Sequence, residues 1–174
     1  MCVTKLDFPE DSSLYKNSKE ASYSDTYMMY TQKQELSIYE IYEAFAKATP
    51  GWVNRLMVLR NGIVSFFKLK SVDALGESIK GGNCKKPPKI GEKLDAFTLF
   101  YLSENEIVVG EDDKHLNFRL SIQKRMTNNG TSVVVSTVVF VNNTLGKGYL
   151  FCILPFHKII MRKSLINARK FGYL

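Results

Sequence analysis

The sequence predicts an α+β fold in which an antiparallel sheet is covered by a long C-terminal helix. Three observations carry this. Two amphipathic segments with helical spacing follow an early strand-like one. From residue 96 the apolar residues switch to a two-residue period. The last stretch, residues 145–170, returns to helical spacing and is the longest element in the chain.

Residues 1–21 are polar, with Asp7, Pro9, Glu10 and Asp11, and predict a flexible leader ahead of one domain over residues 22–174. Residues 23–31, rich in Tyr, Thr and Met, predict a first strand, although their alternation is poor. Ser37 with Glu40 three residues on is a capping-box signal, and Ile38, Ile41, Tyr42 and Phe45 form the stripe of a helix that Thr49-Pro50-Gly51 stops. A second helix follows at once, with Trp52, Leu56, Leu59, Ile63, Phe66 and Phe67 on one face. Residues 76–91 hold Gly81-Gly82 and Pro87-Pro88 without any period, which is a loop.

A hairpin is expected from residues 96–103 and 106–110 around Ser103-Glu104-Asn105. Leu116, Phe118, Leu120 and Ile122 then alternate with Asn117, Arg119, Ser121 and Gln123, giving a strand with one buried face. Asn128-Asn129-Gly130 predicts the next turn, and residues 131–141 a long β-branched strand. In the terminal helix, Asn142, Asn143 and Thr144 supply capping side chains. Its apolar side carries Tyr149, Cys152, Ile153, Phe156, Ile159 and Ile160, which predicts that this side meets the sheet; Lys147, Lys158, Arg162 and Arg169 gather roughly opposite. Pro155 lies too deep for the first turn, cannot donate to the carbonyl of Phe151, and predicts a kink or break.

With 174 residues, 45% apolar content and 12% aromatics, the chain can bury a substantial core. The net charge of +7 suits an anionic partner, but Lys and Arg are scattered rather than clustered among aromatics, so no nucleic acid is expected and a solvated basic surface is the plainer reading. Cys2, Cys84 and Cys152 lack any paired spacing and read as free thiols of a reducing, cytoplasmic setting. The N-terminal residues lack the apolar stretch of a secretory signal, and the run 149–156 is far short of the ~20 residues that cross a bilayer.

Several stretches, Pro50-Gly51-Trp52-Val53, Leu59-Arg60-Asn61, the run from Gly110 through His115 to Arg119, and Pro155-Phe156-His157, resemble an uncharacterised bacterial domain family over residues 23–168. Its members occur alone or fused behind short-chain-dehydrogenase-like domains. The element order is similar to START-like and polyketide-cyclase-like helix-grip proteins. That resemblance implies a curved sheet wrapping the terminal helix around an apolar cavity. It implies no established activity, and no Gly-x-Gly-x-x-Gly is present to carry a dinucleotide role.

The densest polar cluster is Glu111, Asp112, Asp113, His115, Asn117 and Arg119. Placed on a strand, His115, Asn117 and Arg119 would share a side, with Asp112 or Asp113 orienting the imidazole. The expectation is a charged hairpin end, with a proton-moving or anion-binding site as the sharper alternative. Cys152 and His157 fall about 140° apart on one helix, so they make no nucleophilic pair. His157 is expected to be an ordinary, partly buried histidine. No metal ligand set, cofactor site, Ser-His-Asp signature or phosphate loop is present.

The expected function is binding of an apolar or amphipathic small molecule, or one with an anionic group, between sheet and terminal helix. Tyr149, Cys152, Ile153, Phe156, Phe118 and Arg119 would line the cavity. The alternatives are a cyclase- or hydratase-like enzyme using His115 and Asp113, with Asp112 as a further candidate, and a membrane-surface or protein interaction module. Membrane contact by residues 52–67 is the lesser reading of that helix beside core packing.

Overall fold

The strand over Tyr23–Thr31 pairs with the last strand of the sheet, Gly130–Val141, and this long-range contact fixes the topology. A computed structural model describes residues 3–53, 89–127 and 130–174. In chain order the elements are β1 (Thr4–Lys5), α1 (Tyr15–Glu20), β2 (Tyr23–Thr31), α2 (Ile38–Lys47), β3 (Lys93–Leu94), β4 (Phe97–Leu102), β5 (Glu106–Asp112), β6 (Leu116–Thr127), β7 (Gly130–Val141) and α3 (Thr144–Lys170). The strands form one open sheet in the order β1-β2-β7-β6-β5-β4-β3. Every pairing is antiparallel. With α2 and α3 on one face, the architecture is α+β and helix-grip-like.

The Ser37–Glu40 capping box forms as the spacing predicts, and α2 buries Ile38, Ile41, Tyr42, Ala44 and Phe45. The meander of β4 to β7 follows the alternation closely. Trp52 and Val53 are helical, but the rest of the second expected helix, the Leu59-Arg60-Asn61 motif, most of the 76–91 loop, Cys2, Cys84 and the Asn128-Asn129 pair lie outside the described residues.

Strand parity assigns the two faces. Asp25, Tyr27 and Met29 of β2 stand opposite Thr137, Val135 and Val133 of β7, and Leu120 and Ile122 continue the same side onto β6. This is the helix side, where the core gathers Tyr27, Met29, Ile107, Val109, Leu120, Ile122, Val133 and Val135 under α2 and the C-terminal half of α3. The other face is also covered. The expected leader, over its described residues, lies across it: β1 pairs with β2, Leu14 packs with Val108 and Val138, and Ser12 is buried. Ser12 Oγ and Ser121 Oγ donate to Glu106 Oε1 at 2.7 and 2.6 Å, and the Ser13 amide donates to Oε2 at 2.9 Å.

The terminal helix differs from expectation twice. It runs without a break through Pro155. Proline removes one donor from the helix ladder, and the helix continues on both sides of it. The buried residues of α3 are Gly146, Ser164, Leu165 and Ala168, rather than Tyr149, Cys152, Ile153 and Phe156, of which Cys152 and Phe156 are exposed. Small side chains allow this approach. A Cβ on Gly146 would sit 2.1 Å from the His115 carbonyl oxygen. Near the other end, Asn167 Nδ2 donates to the Ala48 carbonyl at 3.1 Å and Ser164 Oγ to Thr49 Oγ1 at 3.3 Å, docking α3 on the end of α2. Full burial of Leu165 adds about 2 kcal/mol at this joint.

Candidate functional site

Between those two joints α3 touches the sheet through a polar cluster. Asp25, on the core side of β2, has a side chain only 1% exposed, and His157 Nε2 lies 3.1 Å from its Oδ1. A carboxylate accepts, so Nε2 carries the proton in this pair. Tyr23 OH donates to Asp25 Oδ2 at 2.7 Å, and the Tyr23 and His157 rings meet edge to face with centroids 6.0 Å apart. Residues i, i+2 and i+4 of a strand share a side, so Tyr23, Asp25 and Tyr27 line up beneath the helix.

Burial works against the charge of Asp25. The hydrogen bond and charge of His157, with the hydroxyls of Tyr23 and Tyr27, outweigh it and hold the carboxyl below its ordinary pKa. The tyrosines respond in the opposite sense. Burial, then the hydrogen bond and charge of Asp25, drives Tyr23 far up, and burial followed by the nearby carboxylate pushes Tyr27 up to about 12. Both phenols therefore stay neutral donors across the physiological range. Thr137, paired with Asp25 across the β2–β7 ladder, is 4% exposed, and its Oγ1 has no hydrogen-bond partner among the described residues. An unpaired buried hydroxyl costs about 1–3 kcal/mol, so this corner of the core is polar and incompletely satisfied.

The residues expected from sequence are dispersed. His115 lies in the β5–β6 turn rather than on a strand, and its Nδ1 is 2.8 Å from Asn143 Oδ1, the same oxygen that accepts from the Gly146 amide at the start of α3. This histidine braces a helix cap. Asp113 uses its backbone amide toward Asn117 Oδ1 at 3.2 Å. Asp112 pairs with Arg119, whose Nη1 is 2.8 Å from Oδ1 and whose Nη2 donates to Oδ2 at 3.0 Å, while the guanidinium lies 3.5 Å from the centre of the Phe100 ring. Arg119 therefore faces away from α3. Phe118 faces toward it, in edge contact with Phe97 at 5.1 Å. Tyr149 and Ile153 are partly buried, so the six expected lining residues do not converge on one point.

The site that does converge, Tyr23, Asp25, Tyr27, Thr137 and His157, was missed apart from His157. Its sequence signal is the charged residue on the buried parity of β2. On the opposite face, an open depression of about 670 Å³ is lined by Asp11, Tyr101, Glu106, Gln123 and Arg125 among others. Its walls are polar and of mixed charge, and it does not reach the Asp25 cluster. Among the described residues no group of His, Cys, Asp and Glu could hold a metal ion, and no helix is long and apolar enough to cross a membrane.

A comparison with curated proteins finds no match to the chain. A family model does match, over residues 18–164, a span that includes both the Asp25 strand and His157. The chain belongs to the family described as Protein of unknown function (DUF2867).

Proposed function

We propose that the domain binds an amphipathic small molecule at the seam between β2 and α3, with the His157–Asp25–Tyr23 network as the contact for its polar group. One observation carries this reading. A buried carboxylate, an imidazole, two phenols and a hydroxyl without a partner are gathered where an apolar core would pack at lower cost. Tyr23 and His157 are only partly buried and form the rim through which a ligand would reach Thr137. The apolar part of the ligand would lie along the partly buried Ile153, about one turn from His157 on α3.

Native mass spectrometry of freshly purified protein, before and after incubation with a lipid extract, tests the proposal. A stoichiometric adduct on the 19.8 kDa chain, lost in Asp25→Asn, is expected. A bare chain under both conditions, with no movement of the Thr137 and His157 resonances on adding the extract, would sink it.

The enzymatic alternative is better placed on His157 than on His115 and Asp113, because the buried Asp25 carboxylate orients the His157 ring through Nε2. If turnover of a cyclase or hydratase substrate is found, His157→Gln should reduce it at least a hundredfold while His115→Ala leaves it near normal. The reverse pattern would restore the His115 assignment.

A further inference from the structure

We propose that the outer side of α3 rests on an anionic lipid surface. Leu145, Phe151, Phe156, Ile159 and Ile166 are 58%, 80%, 46%, 46% and 44% exposed. At 100° per residue, Leu145, Cys152, Phe156 and Ile159 lie within an arc of about 60°, and Ile166 and Phe151 extend it to about 140°, opposite the buried Gly146, Ser164 and Ala168. A folded domain seldom leaves the more apolar side of a helix turned outward without something to cover it.

The charge on the same helix identifies the cover. Over Thr144–Lys170 there is no Asp or Glu, but Lys147, Lys158, Arg162, Lys163, Arg169 and Lys170 are all present. These six cations compare with a net charge of +7 for the whole chain, so most of the imbalance sits on one element. Arg162 and Lys163 lie among these exposed apolar side chains, and Lys158 borders them beside Phe151. Apolar side chains at acyl depth with lysines reaching back to headgroups is how an interfacial helix partitions. A second copy of this chain fits less well, since joining two such strips sets six cations against six. A polyanion without an apolar phase would leave Phe151 and Leu145 uncovered.

The test is flotation of the full chain with vesicles of phosphatidylcholine alone and of phosphatidylcholine with phosphatidylserine, at low and high salt. Binding is expected only to the phosphatidylserine vesicles at low salt, with release at high salt. Lys158→Gln with Lys163→Gln should lower the partition about thirtyfold, roughly fivefold per charge removed. Phe151→Ser should lower it about tenfold or more. All three positions are exposed, so circular dichroism should be unchanged and the loss cannot be laid to unfolding. Absence of binding at low salt overturns the proposal. So does binding that ignores both the charge and the Phe151 variants, or a dimer by light scattering that Phe151→Ser dissolves while vesicles bind nothing.

Discussion

Removing the Asp25 carboxylate tests the central cluster most directly. In Asp25→Ala the hydroxyl of Tyr23 and the ring N–H of His157 both lose their acceptor at a position where the native side chain is 1% exposed. Two unsatisfied donors at about 1–3 kcal/mol each, partly relieved at the rim, give a loss of about 3–5 kcal/mol, near that for breaking a buried ion pair. For a chain of 174 residues this lowers Tm by about 10 °C or more. His157→Ala should cost less, about 1–3 kcal/mol, because Tyr23 and Tyr27 still serve the carboxylate and the imidazole is 17% exposed. The two losses should be coupled by at least about 1 kcal/mol in a double-mutant cycle.

Acid adds an independent reading of the same group. The folded pKa of Asp25 lies below that of the unfolded chain, so its contribution is fully present above the ordinary carboxylate range and is lost as pH falls through that range toward the folded value. Asp25→Asn has no such contribution. Urea unfolding of both proteins between neutral pH and about pH 3 should show the gap between them narrowing on acidification. A gap that stays constant, or an Asp25→Ala loss under about 1 kcal/mol, would refute the idea that His157 and the tyrosines hold an ionised carboxylate.

Two further outcomes follow from close contacts elsewhere. Gly146→Ala places a Cβ 2.1 Å from the His115 carbonyl oxygen, so overpacking of about 1–3 kcal/mol should outweigh the roughly 1 kcal/mol gain in helix propensity, and denaturant melts should show a net loss. Unchanged stability would mean that the start of α3 moves freely away from the turn. Glu106→Ala removes the acceptor shared by Ser12, Ser13 and Ser121 on the second face, and should cost about 3 kcal/mol. The same change should raise amide hydrogen exchange over residues 10–20 selectively; uniform exchange would show that Glu106 does not anchor the N-terminal segment.

The meander was legible in the sequence because alternation is a local signal: β6 places Leu116, Phe118, Leu120 and Ile122 on one side, and each is on the helix side in the fold. The β2–β7 pairing was not, since nothing in either strand names its partner more than a hundred residues away. The two-sided burial of the sheet did leave a trace. Val133, Val134, Val135, Val138 and Val139 make β7 nearly continuous in apolar character, the pattern of a strand covered on both faces, and the polar N-terminal residues supply the second cover through Leu14 and the Ser12–Glu106 contact.

The terminal helix shows why periodicity can locate an element and still misassign its faces. Reading the most apolar side as the buried side assumes that burial is achieved by large side chains. On α3 much of it is achieved by Gly146, Ser164 and Ala168, which carry little hydropathy and bring the backbone close to its neighbours. The apolar strip of Leu145, Cys152, Phe156 and Ile159 is then left on the outside, and it is the same helix that brings His157 inward to Asp25. Poor alternation in β2 had the matching origin, because Asp25 occupies a core-facing position where an apolar residue would have completed the pattern. Both departures from the simple pattern fall on the two elements that face each other across the seam. Such local violations are expected where a fold gives up packing energy for something other than stability, which is why the β2–α3 seam, and not the charged β5–β6 turn, is the place to test for the proposed ligand.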